Sequence, residues 1–85
     1  MQNIKLTQPI TSDGQEHTQI ILRRSKVKDR LIVERMGNND AEKEVALIAN
    51  LSGLPKEAIE EIDLRDYAVI QEHLQDFLSH KAVKS

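Results

Sequence analysis

The chain has 85 residues, no cysteine, one tyrosine, one phenylalanine and a net charge of −2. A single small domain of this length buries roughly 60–65% of the surface its unfolded form exposes, which leaves room for a binding surface and argues against a deep enzymatic cleft. Disulfides, thiolate metal sites and cysteine nucleophiles are excluded, the core must be aliphatic, and no apolar run approaches the ~20 residues that span a bilayer.

The N-terminus, Met1-Gln2-Asn3-Ile4-Lys5, lacks the charged and apolar regions of a signal peptide, so a soluble protein of the cytoplasm is expected. Ile4 and Leu6 alternate with Lys5 and Thr7. After Ser12-Asp13-Gly14, Thr18, Ile20 and Leu22 alternate with His17, Gln19 and Ile21. This pattern predicts a β-hairpin over about 3–23 with one buried face. A two-residue Asp13-Gly14 turn would pair Leu6 with Ile21. A three-residue Ser12-Asp13-Gly14 loop would pair Leu6 with Ile20 and Ile4 with Leu22, keeping the apolar face continuous with Gly14 in the left-handed position, and is the expected register. A lone hairpin is marginal in water, so the following helices must cover it.

From Ser25 to Met36 a helix is predicted, capped by Ser25 and ended by Gly37, although Leu31-Ile32-Val33 would also suit a strand. Val27, Leu31, Ile32, Val33 and Met36 do not form one clean stripe. Gly37-Asn38-Asn39 reads as a turn. Asn39 and Glu42 have capping-box spacing ahead of a helix from Asp40 to Ser52 that is apolar almost all round between Val45 and Leu51, the mark of a central buried helix. Gly53 stops it, Leu54 folds back onto it, and Pro55 opens a short helix from Lys56 to Ile62 that buries Ile59 and Ile62. Asp63 then caps a last helix, with Asp66 near its positive end. In that helix Tyr67, Ile70, Leu74, Phe77 and Leu78 share one apolar arc. The helical part runs over about 25–80, and the tail 81–85 is expected to fray. The fold class is therefore α+β: an N-terminal β-hairpin packed on three to four helices, mostly helical, in a single domain spanning 1–85.

Charge is distributed unevenly. Six basic residues between Arg23 and Arg35 face only Asp29 and Glu34, whereas ten acidic residues between Asp40 and Asp76 face only Lys43, Lys56 and Arg65. Arg23, Arg24, Lys26, Lys28 and Arg30 form a candidate basic patch for an acidic partner, beside the plainer alternative of two solvated, complementary faces. Nothing indicates a metal or a cofactor: His73 and His80 lie seven residues apart, about 10 Å by helical rise, which is too far for one ion. No Ser sits in a nucleophile elbow. The carboxylates Glu57, Glu60, Glu61, Asp63 and Asp66 have no visible pocket to drive their pKa values apart, as acid–base catalysis requires. A non-enzymatic role is expected.

Ala49, Gly53 and Ile59 stand at offsets 0, 4 and 10, the spacing of a helix-turn-helix, and a DNA-binding regulator is the alternative reading. Its recognition helix would be Pro55 to Ile62 and would present Glu57, Glu60 and Glu61 to the phosphates, with Lys56 as the lone cation and no Arg, Asn or Gln to read base edges. That charge makes it a poor guest for DNA.

The run from Ala41 to Pro55, ending Leu51-Ser52-Gly53-Leu54-Pro55, and its continuation Ile62-Asp63-Leu64-Arg65-Asp66-Tyr67, resemble the tail assembly chaperone family of Mu-like and related contractile-tailed phages. Lys5-Leu6, Pro9-Ile10, Asp13-Gly14, Leu22-Arg23 and Val27-Lys28-Asp29 extend the likeness over roughly Ile4 to Leu78. Where relatives often carry Glu-Pro-Thr after the second strand, this chain has Arg24-Ser25-Lys26, which removes a proline and reverses a charge. The resemblance implies an assembly factor that binds the long helical tape measure protein, with the tail tube protein as a further partner, before the tube polymerises. In some of these phages ribosomal frameshifting yields a longer product, and this chain would be the short one. On that view Tyr67, Ile70, Leu74, Phe77 and Leu78 form either an apolar partner groove or the core contact of the last helix with the hairpin.

Overall fold

A computed structural model describes the backbone of residues 2–36 and 38–83, and their side chains apart from residues 36 and 75–83. Two strands, β1 (Gln2–Ser12) and β2 (Gln15–Leu22), form an antiparallel hairpin, followed by four helices: α1 (Val27–Met36), α2 (Asp40–Ser52), α3 (Lys56–Glu60) and α4 (Leu64–Val83). This is the α+β arrangement predicted from the pattern. Gly37, expected to end α1, lies outside the described residues, as do residues 84–85 of the predicted tail.

The hairpin corrects the expected register. Asp13 (φ 54°) and Gly14 (φ 76°) are both left-handed, and Ser12 pairs with Gln15, so the loop has two residues rather than three. Such a turn carries the twist that the strands need. Left alone, it would set Leu6 against Ile21 and split the apolar face. The chain avoids this with a bulge. Between the pairs Lys5–Gln19 and Ile10–His17, β1 spends the four residues Leu6–Pro9 where β2 spends Thr18 alone. Ile4 consequently faces Ile20, both are buried, and Leu6, Ile10 and Leu22 complete the inner face. Pro9 has no N–H to offer a ladder, so the bulge falls where a ladder bond is already missing.

The helices start and stop much as their residues dictate. Asn39 Oδ1 accepts from the Glu42 N–H at 2.9 Å, and Glu42 reaches back to the Asn38 N–H at 2.8 Å. Gly53 (φ 80°) ends α2 and donates its N–H to the Ala49 carbonyl. Pro55 sits just outside α3, in extended backbone, rather than as its first residue. Asp63 caps α4 by accepting from the Arg65 N–H at 2.8 Å. Ser25 does not cap α1. Lys26 holds the cap position, and Asp29, three residues on, accepts from its N–H at 2.7 Å, which is the return half of a capping box.

Helix α2 is central, packing on α1, α3 and β2, while α3 and α4 pack on β1. Leu47, Ile48 and Leu51 of α2 meet the hairpin face, Val33, Ala58, Ile59, Ile62, Ile70 and Leu74 in one aliphatic cluster. Val45, Ala49, Leu54 and Tyr67 pack at its margin.

Among the described residues two carboxylates, Asp29 and Asp66, are buried. Asp66, in the first turn of α4, is 3% exposed. It accepts from the Thr7 N–H (3.1 and 3.0 Å to its two oxygens), the Thr7 hydroxyl (3.0 Å) and the Gln8 N–H (3.1 Å). The bulge amides that left the ladder therefore find their acceptor 58 and 59 residues away in sequence. A buried carboxylate needs donors, and the bulge supplies them to Asp66 while Asp66 gives the bulge amides an acceptor. Asp66→Ala is expected to lower the unfolding free energy by about 3 kcal/mol, the scale of losing charged hydrogen bonds and stranding their donors. Urea denaturation followed by far-UV circular dichroism measures this.

Candidate partner-binding surfaces

The second internal carboxylate decides which cations remain on the surface. Asp29, whose side chain is fully buried, receives two hydrogen bonds from the Arg23 guanidinium (2.7 and 3.0 Å), one from the Lys26 N–H and one from the Asn50 amide. A buried charge is tolerated only when it is paired and its remaining lone pairs are used, and both conditions are met here. Asp29 thereby joins the end of β2, the start of α1 and the middle of α2. The hydrogen bonds from Arg23 outweigh burial and hold its carboxyl at about 2, below the usual 3.8. For Asp66 burial pushes upward, but the Thr7 and Gln8 donors outweigh it and the carboxyl lies below its ordinary value.

The predicted basic patch thus divides. Arg23 is committed to Asp29. Arg24, Lys26, Lys28 and Arg30 are exposed, as is Arg35. Among the described residues the ion pairs are Arg23–Asp29 and Lys43–Glu34 (3.1 Å), and neither involves those five cations.

The α4 stripe is partly placed. Ile70 (0% exposed) and Leu74 (3%) sit in the aliphatic cluster, and α4 packs on β1. Tyr67 is half-buried, donating its hydroxyl to Glu44 at 2.8 Å beside Gln71, which bonds the same oxygen. Burial and that hydrogen bond push the phenol's pKa well up. The side chains of Phe77 and Leu78 lie outside the described residues.

Exposed apolar side chains occur where the sequence singled out none. Val27 (76%) and Leu31 (58%) stand on α1, and Leu64 (80%) and Val69 (41%) on α4. The signal for the first pair was present in the failure of α1 to form one stripe. Four residues apart, Val27 and Leu31 lie about 40° from each other round the helix, on the side away from Asp29 and Val33.

A broad groove lies between the hairpin tip and α3. Pro9, Ile10, Pro55 and Ala58 line it together with Asp13, Glu57 and Glu61. The residues proposed for DNA reading are in α3, which has five residues and exposes Glu57 and Glu60, with Glu61 and Asp63 following. Among the described residues no group of three His, Asp or Glu side chains is placed to hold a metal ion, and no helix is long and apolar enough to cross a membrane.

Residues 3–79 match the family model described as phage tail assembly chaperone proteins, E, or 41 or 14. No curated protein and no solved structure matches the chain. A match over that share of the sequence places the chain in the family: it belongs to the phage tail assembly chaperone proteins.

Because folding lowers the Asp29 pKa, the unfolded chain takes up the proton more readily. The stabilisation is complete above the unfolded value near 3.8 and is lost as the pH falls through about 2. Thermal melts between pH 6 and pH 2 should show a steep loss of Tm below pH 4 in the wild type, and Asp29→Asn should start less stable and show a shallower acid limb.

Proposed function

We propose that this phage tail assembly chaperone binds the tape measure protein of its phage while the tail is being built, in the host cytoplasm and without catalysing a reaction. Family membership over residues 3–79 is the observation that carries this reading. The surface is consistent with it. Val27 and Leu31, exposed one helical turn apart on α1, suit contact with another helix, and a long helical client awaiting its tube needs its apolar stripe covered. Phe77 and Leu78 continue the arc of Tyr67, Ile70 and Leu74 at helical spacing. Ile70 and Leu74 belong to the aliphatic cluster, and from helical spacing alone Phe77 and Leu78 are proposed to carry the arc on to the partner. The tail tube protein is a second candidate partner. No observation favours a DNA-binding regulator.

Co-expression with the phage's own tape measure protein tests this. The tape measure protein should become soluble and co-purify with the chaperone, and F77A/L78A, checked for folding by circular dichroism, should reduce recovery several-fold. Insoluble tape measure protein, with none retained by wild-type chaperone, would sink the reading.

A further inference from the structure

Among the described residues, the outward face of α1 carries exposed apolar side chains. Among the described elements α1 packs on α2 alone. The side turned to α2 and the core is set by Asp29 and Val33, both buried. Along the opposite side run Val27 and Leu31, more exposed than most apolar residues of this chain. Counting about 100° per residue, Lys28 and Arg35 flank this crest on one side, and Glu34 and then Arg30 on the other. Arg24 and Lys26 lie just before the helix. All five cations are exposed and none has a carboxylate within ion-pair reach among the described residues. Glu34, the acidic residue nearest the crest, is paired with Lys43.

We propose that this face is a docking site for an amphipathic helix whose apolar stripe is bordered by carboxylates. Two apolar side chains at i and i+4 form the ridge that fits between the ridges of a second helix. The exposed cations, which outnumber the paired Glu34, then select a partner with Asp or Glu along the borders of its stripe. Such rim charges contribute more to selection and encounter rate than to affinity, so the crest carries the binding. The apolar crest also separates this site from a phosphate-binding one, in which nothing would require Val27 and Leu31. The inference rests on the proposed chaperone function in one respect: the helix would belong to the tape measure protein. Burial elsewhere supports the division of labour, because the charge that Asp29 needs is supplied by Arg23, leaving the α1 cations free of a structural duty.

A direct test uses a fluorescein-labelled peptide of roughly six helical turns, with a leucine stripe bordered by glutamates. A lysine-bordered analogue and a duplex DNA serve as the other probes. By fluorescence anisotropy the acidic peptide should bind the wild-type protein in a salt-sensitive manner, and the lysine analogue should not. V27D/L31D and K28E/R30E should each weaken binding by about ten-fold or more while melting like the wild type. Because every substituted side chain is exposed, folding should be unaffected, and V27S/L31S gives a milder pair for the same comparison. Failure of the wild type to bind the acidic peptide, or retention of affinity within about three-fold by folded crest variants, overturns the proposal. Duplex DNA binding as tightly as the peptide, and equally well to V27D/L31D, overturns it in favour of a phosphate surface. Peptide binding without co-purification of the tape measure protein would uphold this face and remove the client, whereas co-purification unaffected by V27D/L31D would place the client elsewhere.

Discussion

The carboxylate of Asp66 is the constraint from which most of this fold follows. A two-residue turn at Asp13-Gly14 fixes one register near the hairpin tip, and a continuous apolar face demands another near its base. The bulge at Leu6–Pro9 reconciles them, at the cost of backbone donors that leave the ladder. Asp66 accepts from two of those amides and from the Thr7 hydroxyl, so the irregular part of β1 becomes the part that is tied to α4. The first turn of α4 supplies a favourable field for this charge. A two-stranded sheet that would be marginal alone is thereby anchored at the point where its own hydrogen bonding is interrupted.

Asp29 does the equivalent for the other half of the molecule. It gathers Arg23 from the end of β2, the N–H that opens α1, and Asn50 from the buried helix. A second link, from the Arg23 N–H to the Leu51 carbonyl, fixes the same junction through the backbone. Both carboxylates stand in the first turn of a helix, and both reach a segment of the hairpin or its exit. The aliphatic cluster supplies the non-directional attraction, and the two carboxylates determine how hairpin and helices are oriented within it.

What was legible in the sequence, and what was not, divides along the same line. Signals that act within a few residues were readable: the alternation of the strands, the Asn39 cap, the glycine stop at Gly53, the cap at Asp63, and the apolar girdle of α2. The hairpin register was not, because the acceptor that makes the bulge affordable lies 59 residues from Thr7. Asp66 read as an ordinary first-turn acid suited to a helix dipole and Asp29 as one of two acids within a basic run, since sequence spacing carries no sign of burial. Arg23 looked like one cation among six until Asp29 claimed it. For α4, Ile70 and Leu74 were recognisable as members of an apolar arc, but whether the arc meets a hairpin or a partner depends on tertiary packing. For α1, the untidy distribution of apolar residues was itself the clue: Val33 faces inward, Val27 and Leu31 face outward, and a helix with apolar residues on both sides shows no single stripe.

Asp66 ties the β1 bulge to the first turn of α4. Native-state amide hydrogen exchange, read residue by residue by NMR, tests it most directly. The Thr7 and Gln8 amides should exchange only through the opening that also exposes the amides of Ile20 and Leu47, which is global unfolding. Exchange of Thr7 and Gln8 within about ten-fold of unstructured rates, while Ile20 and Leu47 stay protected, would contradict it.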